Sequence, residues 1–391
     1  MERHYLDHAS VSPLRPEVVR AMQSSMEGPA ADPGRVYQEA RQVRADIEEA
    51  RQHVADLFGV GPRQVVFTSG GTEAVHAAVW GATRKRPGAV VVSAAVEHSS
   101  VREVSARLAP VEPLTVDHTG RIFPGDLDDL LARHPVDPPA LVHCQWANHE
   151  VGTLQPVADV VRRCREAGVP VHVDAAAAAG HVEMDLGRLD ADMVSITAHQ
   201  MGGPPGVGAL ILRRGSRLEP WMVGGQQERA RRAGMENVLG IVGFGAAAAA
   251  LARGAGTGGA GTGGAPRRLD SEITASRSHV GHLVDAALTV DGVSLVGDPD
   301  PGGRLPHLVC LGVAGVEAEP VVLGLDRAGV AVHSGSACAS ESLEPSPVLV
   351  AMGVDPSRSL RLSVGWSTTG ADVEAFAHAF PNVVASLRAL R

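Results

Sequence analysis

The stretch VVFTSGGTEAVHAAVWGA, residues 65–82, reads as a buried strand, a glycine turn at Gly70 and Gly71, and an apolar helix that opens at Thr72. Its strand portion is apolar without polar alternation, the pattern of a strand covered on both faces, and a helix follows instead of a hairpin. The unit recurs along the chain. AVVVS (89–93), LVHCQ (141–145), PVHVD (170–174), DMVSIT (192–197) and GALILR (208–213) are similar runs, separated by helix-like stretches such as VADVVRRCREAG (157–168). Strands alternating with helices predict an α/β fold, with a largely parallel sheet in a large domain over residues 15–252. Residues 253–266, RGAGTGGAGTGGAP, bury almost nothing and read as a low-complexity linker. Beyond it, helical patterns over 270–288 and 371–390 flank short apolar runs, which suits a smaller α+β domain.

Composition narrows the function. A formal charge of −9 with scattered arginines provides no basic stripe for nucleic acid or anionic lipid, so small molecules or proteins are the expected partners. No apolar run reaches the roughly 20 residues that span a bilayer, and the start has no leader pattern, so a cytoplasmic protein is expected. The four cysteines lack the spacing of a zinc site or a disulfide scaffold. Cys144 and Cys310 sit in apolar strand-like runs and Cys164 in a helix-like stretch, whereas Cys338 lies in HSGSACASESLEP, a setting that suits a nucleophile on a loop. Lys85 is the only lysine among 35 basic residues.

Several residues carry chemistry by position. The N–H groups after Gly70, at Gly71 and Thr72, open a helix and can cradle phosphate; the alternative is an ordinary turn with Thr72 as cap. Without Gly-Lys-Ser/Thr, a nucleoside triphosphate is disfavoured. Asp174 closes a strand, where a buried carboxylate either meets a cation such as a pyridinium nitrogen or caps a helix. His98 either presents its ring to a ligand or is satisfied by nearby backbone. Arg361, in SLRLSVGW, is either a carboxylate clamp or an ordinary ion pair.

YLDHA, SGGTEA, VEHSSV, ANHEVGT, VDA, TAHQMGGPPGVGAL, GGQQERARRAGMENV, SGSACAS and RLSVGWSTT follow one another in order and spacing. Together they resemble the cysteine desulfurases of the class V aminotransferase family, which use pyridoxal phosphate (PLP). The resemblance implies a PLP-transferase type I fold: a large domain with a mainly parallel seven-stranded sheet, and a small α+β domain from residues 1–14 and 267–391. It also implies a homodimer with shared cofactor sites, a cysteine-like amino acid substrate and a sulfur-acceptor protein. Position by position, Gly71, Thr72, Thr197 and His199 correspond to the cofactor's phosphate region and His98 to its ring. Asn148 and Asp174 correspond to its oxygen and nitrogen, Asn148 also to the substrate side, Arg361 to the substrate carboxylate, and Cys338 to the persulfide-forming thiol.

The sequence departs from the family at the same pocket. Where the family carries the lysine that condenses with PLP, this chain has Gln200, whose delocalised amide nitrogen cannot condense with an aldehyde or shuttle a proton. Ala177 replaces the family's glutamine after VDA, and Met235 replaces a threonine lent to the neighbouring subunit's phosphate. The paired threonines after LDHA are missing too. Three readings stay open: a desulfurase holding PLP without a covalent bond or altered at residue 200, a non-catalytic homologue relaying sulfur through Cys338, and a repurposed site in which His98, His149, His199 and Asp174 converge.

Overall fold

The computed structural model describes residues 3–252, 267–334 and 345–390. The linker assigned to 253–266 and the loop cysteine Cys338 lie outside the described residues. Seven strands form the central sheet, in the order Val65–Thr68, Gly208–Leu212, Met193–Thr197, Val171–Asp174, Leu141–Gln145, Val91–Ala94 and Val111–Leu114. All pairings are parallel except those of Gly208–Leu212, which runs antiparallel to both neighbours. Six of these strands match the apolar runs of the sequence. The seventh, Val111–Leu114, is an edge strand of sequence VEPL, where Pro113 is tolerated because one side of the strand has no partner.

The absence of alternation has a direct structural counterpart. Val65 and Phe67 pack into one apolar cluster and Val66 into another on the opposite face; Ala209 and Ile211 are separated from Leu210 and Leu212 in the same way. Helices therefore bury both faces. Helix Val238–Ala252 (VLGIVGFGAAAAALA) crosses helix Gln38–Leu57 so closely that a Cβ at Gly245 would lie 2.5 Å from the Ala50 Cα. Its small residues are thus a packing requirement.

A second cluster unites Leu6 with helices Arg268–Leu288 and Gly370–Arg388 and with an antiparallel sheet of His333–Ser334, Ser359–Ser363, Leu308–Val313 and Val293–Val296. The chain start joins this region: His4–Tyr5 pairs in parallel with Val330–Ala331, and Asp7 bridges to Ser363. Residues 7–10 are thereby carried to the carboxyl end of the large sheet. No described helix is long and apolar enough to cross a membrane.

Candidate active site

Five strands that run in the same direction through the sheet end on one cavity of about 530 Å³, at the carboxyl edge where ligands of such sheets gather. After Val65–Thr68 come Gly71 and Thr72; after Val91–Ala94, Glu97 and His98; after Leu141–Gln145, His149 and Glu150; Val171–Asp174 ends in Asp174; and Met193–Thr197 leads to His199 and Gln200. The four-stranded antiparallel sheet closes the cavity with His333 and Arg361, and the chain start adds Ala9 and Ser10. A larger cavity of about 890 Å³, among helices Pro16–Glu27, Gln38–Leu57 and Val238–Ala252, shares no lining residue with it.

Of the residues singled out in the sequence, Gly71, Thr72, His98, Asp174, Thr197, His199, Gln200 and Arg361 meet on this wall. Asn148 does not. It is fully buried behind it, donating to the Val96 carbonyl and accepting from the Glu150 and Val151 N–H groups, which fixes the loop carrying His149. The sequence reading passed over Glu97, Arg102, Glu150, Ser10 and His333, all cavity-lining. Glu97 had a usable signal: like Asp174, it is a carboxylate directly after an apolar strand run.

The local geometry follows from the chain. His98 caps helix Ser99–Leu108: its Nδ1 accepts from the Ser100 N–H at 3.1 Å, and the ring meets His149 edge-on at 5.0 Å. Asp174 Oδ1 accepts from the Ser195 hydroxyl (2.9 Å) and the Ala176 N–H (3.1 Å) and forms no ion pair with any described residue. Thr197 Oγ1 and His199 Nδ1 are 2.8 Å apart. Gln200 lies in a single 3₁₀ turn, His199–Met201, ended by Gly202 at φ +78°, where a Cβ would strike the Arg15 side chain at 2.7 Å. That turn aims the Gln200 amide at the cavity, where its Nε2 donates to the Ala9 carbonyl at 2.8 Å.

Arg361 Nη2 donates to Asp7 (3.1 Å) and to the Ser10 hydroxyl (2.6 Å), and Nη1 to the His149 carbonyl (3.1 Å). Arg361 is therefore ion-paired and also lines the cavity. Burial, then the nearby Asp174 carboxylate, pushes the Glu97 carboxyl up to about 8. Burial likewise raises Glu150 to about 7 and lowers His149 and His199. Near neutral pH the cavity holds a neutral Glu97. No group of three or more His, Cys, Asp or Glu among the described residues is arranged to hold a metal ion.

Lys85 is remote from this chemistry. It ends helix Gly71–Lys85, whose first turn lines the cavity, so it lies about 20 Å away along the axis. Its Nζ donates to the Arg217 carbonyl beside a different cavity.

A type I PLP-transferase fold, with its cavity at the carboxyl edge of a mostly parallel seven-stranded sheet, is what these elements define. The class-V aminotransferase profile matches residues 4–376, and the chain belongs to that family, among its cysteine desulfurases. A cysteine desulfurase of Cereibacter sphaeroides is 37% identical across 100% of this chain and 98% of its own length. The structure of a NifS-like protein from Rickettsia africae superimposes with a TM-score of 0.84 at 26% identity, covering 98% of this chain and 99% of that one. SspA, solved in complex with cysteine, gives a TM-score of 0.77 at 25% identity over 94% and 100% of the two chains. The family implies PLP binding.

Proposed function

We propose that this chain is a cysteine desulfurase-like protein of sulfur metabolism that holds PLP without a covalent bond and carries persulfide sulfur on Cys338. The observation that carries the reading is Gln200: an amide, already tied to Ala9, occupies the wall where an amine is needed, and the single lysine sits at the far end of a helix.

The other residues fit the cofactor's non-covalent groups. Asp174, with only neutral partners, suits a pyridinium nitrogen. The helix start at Gly71 and Thr72, with Thr197 and His199, suits the phosphate; a Cβ at Gly71 would project toward Ala176 and Thr197, 3.8 Å from each, so glycine keeps that wall clear. His98 would lie toward the ring, and Arg361 would hold the carboxylate of a cysteine-like substrate. When bound, PLP supplies an electron sink for chemistry at the amino acid's Cα. In this reading the protein works in the cytoplasm as a homodimer, with Met235, 68% exposed, offered to the second copy in place of the family's threonine.

For sulfur relay, the Cys338 thiolate attacks the outer sulfur of a donor persulfide. The donor's S–S bond breaks, the donor leaves as a thiolate, and a new S–S bond forms on Cys338 with no net oxidation. Incubation with glutathione persulfide followed by peptide mass spectrometry tests this. One added sulfur on Cys338, with Cys144, Cys164 and Cys310 unchanged, supports the reading. An unmodified Cys338 beside modified buried thiols contradicts it.

A further inference from the structure

Nine buried side-chain polar atoms among the described residues have no hydrogen-bond partner, and four of them belong to residues lining the 530 Å³ cavity: Gln200 Oε1, Glu97 Oε2, Arg102 Nε and Arg361 Nε. A buried polar atom without a partner is costly, so such a concentration marks a place where a ligand completes the set. The complement can be read from the atoms. Two guanidinium nitrogens ask for an anion, and the Gln200 oxygen asks for a hydrogen-bond donor.

The spacing between these groups is set by the chain start. Gln200 Nε2 donates to Ala9 and Arg361 Nη2 to Ser10, at 2.8 and 2.6 Å. Ala9 and Ser10 are consecutive, with Cα atoms about 3.8 Å apart, so amide and guanidinium lie within about 10 Å of each other. A carboxylate and an ammonium on one carbon, with a hydrogen bond of about 2.8 Å at each end, bridge such a gap. The amide is also held in one orientation. Because Nε2 is committed to a carbonyl, Oε1 must be the atom left over, and it is an acceptor only.

We propose that Gln200 is a specificity-determining residue that accepts a hydrogen bond from the free ammonium group of an α-amino acid whose carboxylate is on Arg361, so that the cavity binds the amino acid reversibly before any PLP is bound. The inference rests on the reading that residue 200 forms no covalent bond, and it goes further by giving the replacement a positive role. A lysine here would repel an ammonium; the amide oxygen receives it through a charge-assisted bond. Glu97 is protonated near neutral pH and adds no competing charge.

The test uses PLP-free protein in equilibrium dialysis under reducing conditions, with L-cysteine and with 3-mercaptopropionate, which lacks only the amine. Wild type is expected to hold cysteine at least tenfold tighter, the effect of one hydrogen bond to a charged group. Gln200→Met keeps the side-chain volume and removes the acceptor. It is expected to close that gap while leaving 3-mercaptopropionate binding within twofold, which also reports an intact fold. Equal binding of the two compounds by wild type, or a tenfold gap that survives Gln200→Met, overturns the inference. Neither result touches the reading on PLP attachment, which fails only if wild type binds PLP covalently.

Discussion

Glu97→Gln isolates the electrostatic cost of the cavity. The Glu97 side chain is 2% exposed, its Oε1 accepts from the Gln145 N–H at 2.7 Å, and its Oε2 has no partner. Its carboxyl is raised from 4.5 to about 8, first by burial and then by Asp174. Between those values the folded chain keeps a proton that the unfolded chain releases, so stability falls as pH rises. The contribution is fully present below about pH 4.5 and is lost as pH climbs through 8. The slope is about 1.4 kcal/mol per pH unit, which over the whole window amounts to roughly 4–5 kcal/mol. Glutamine has the same shape, retains the acceptor for Gln145 and never ionises. The variant should therefore match wild type near pH 5 and exceed it by about 3 kcal/mol or more at pH 7.5, read from urea unfolding at several pH values. Asp174→Asn should recover a smaller part, because its charge is the second cause. A difference between wild type and Glu97→Gln that stays constant from pH 5 to 7.5 would refute the reasoning.

Two further outcomes follow from burial elsewhere. Arg51 and Glu228 form a two-pronged ion pair at 2.7 Å, both nearly inaccessible, and Glu228 also accepts from the Phe67 N–H; Glu228→Gln strands the arginine charge and should cost about 3–5 kcal/mol in urea unfolding, while a loss below 1 kcal/mol would contradict that. Burial pushes the Cys164 and Cys310 thiols up to about 12 and raises Cys144 well above its ordinary value. All three should resist iodoacetamide at pH 7.5 in the folded protein and react after unfolding, as counted by peptide mass spectrometry.

The sheet was legible where burial on both faces imposed a continuous apolar run. LVHCQ matches its strand residue for residue, and the neighbouring runs agree to within a residue or two. VEPL was not legible, because a half-exposed edge strand can carry Glu112 and Pro113 and loses the apolar signal. The reversal of Gly208–Leu212 also left no mark in its composition, since direction depends on the connection rather than on the side chains. At the site, residues at or a few positions beyond strand ends were readable, as Asp174, His98 and Gln200 show. Ser10 and His333 were not: Ser10 reaches the cavity because the chain start pairs with residues more than 300 positions away, His4 with Val330 and Asp7 with Ser363, and His333 because it pairs with Arg361 in the small sheet. Asn148 illustrates the converse: its neighbours in ANHEVGT face the cavity, while its own side chain is spent on the turn that aims them.

The account depends on the missing amine at residue 200, and covalent trapping measures that directly. Protein is mixed with PLP, reduced with borohydride and weighed intact, with Gln200→Lys alongside. The account predicts one pyridoxyl phosphate group fixed to the lysine variant and none to wild type. One group fixed stoichiometrically to wild type and mapped to Lys85 would contradict it.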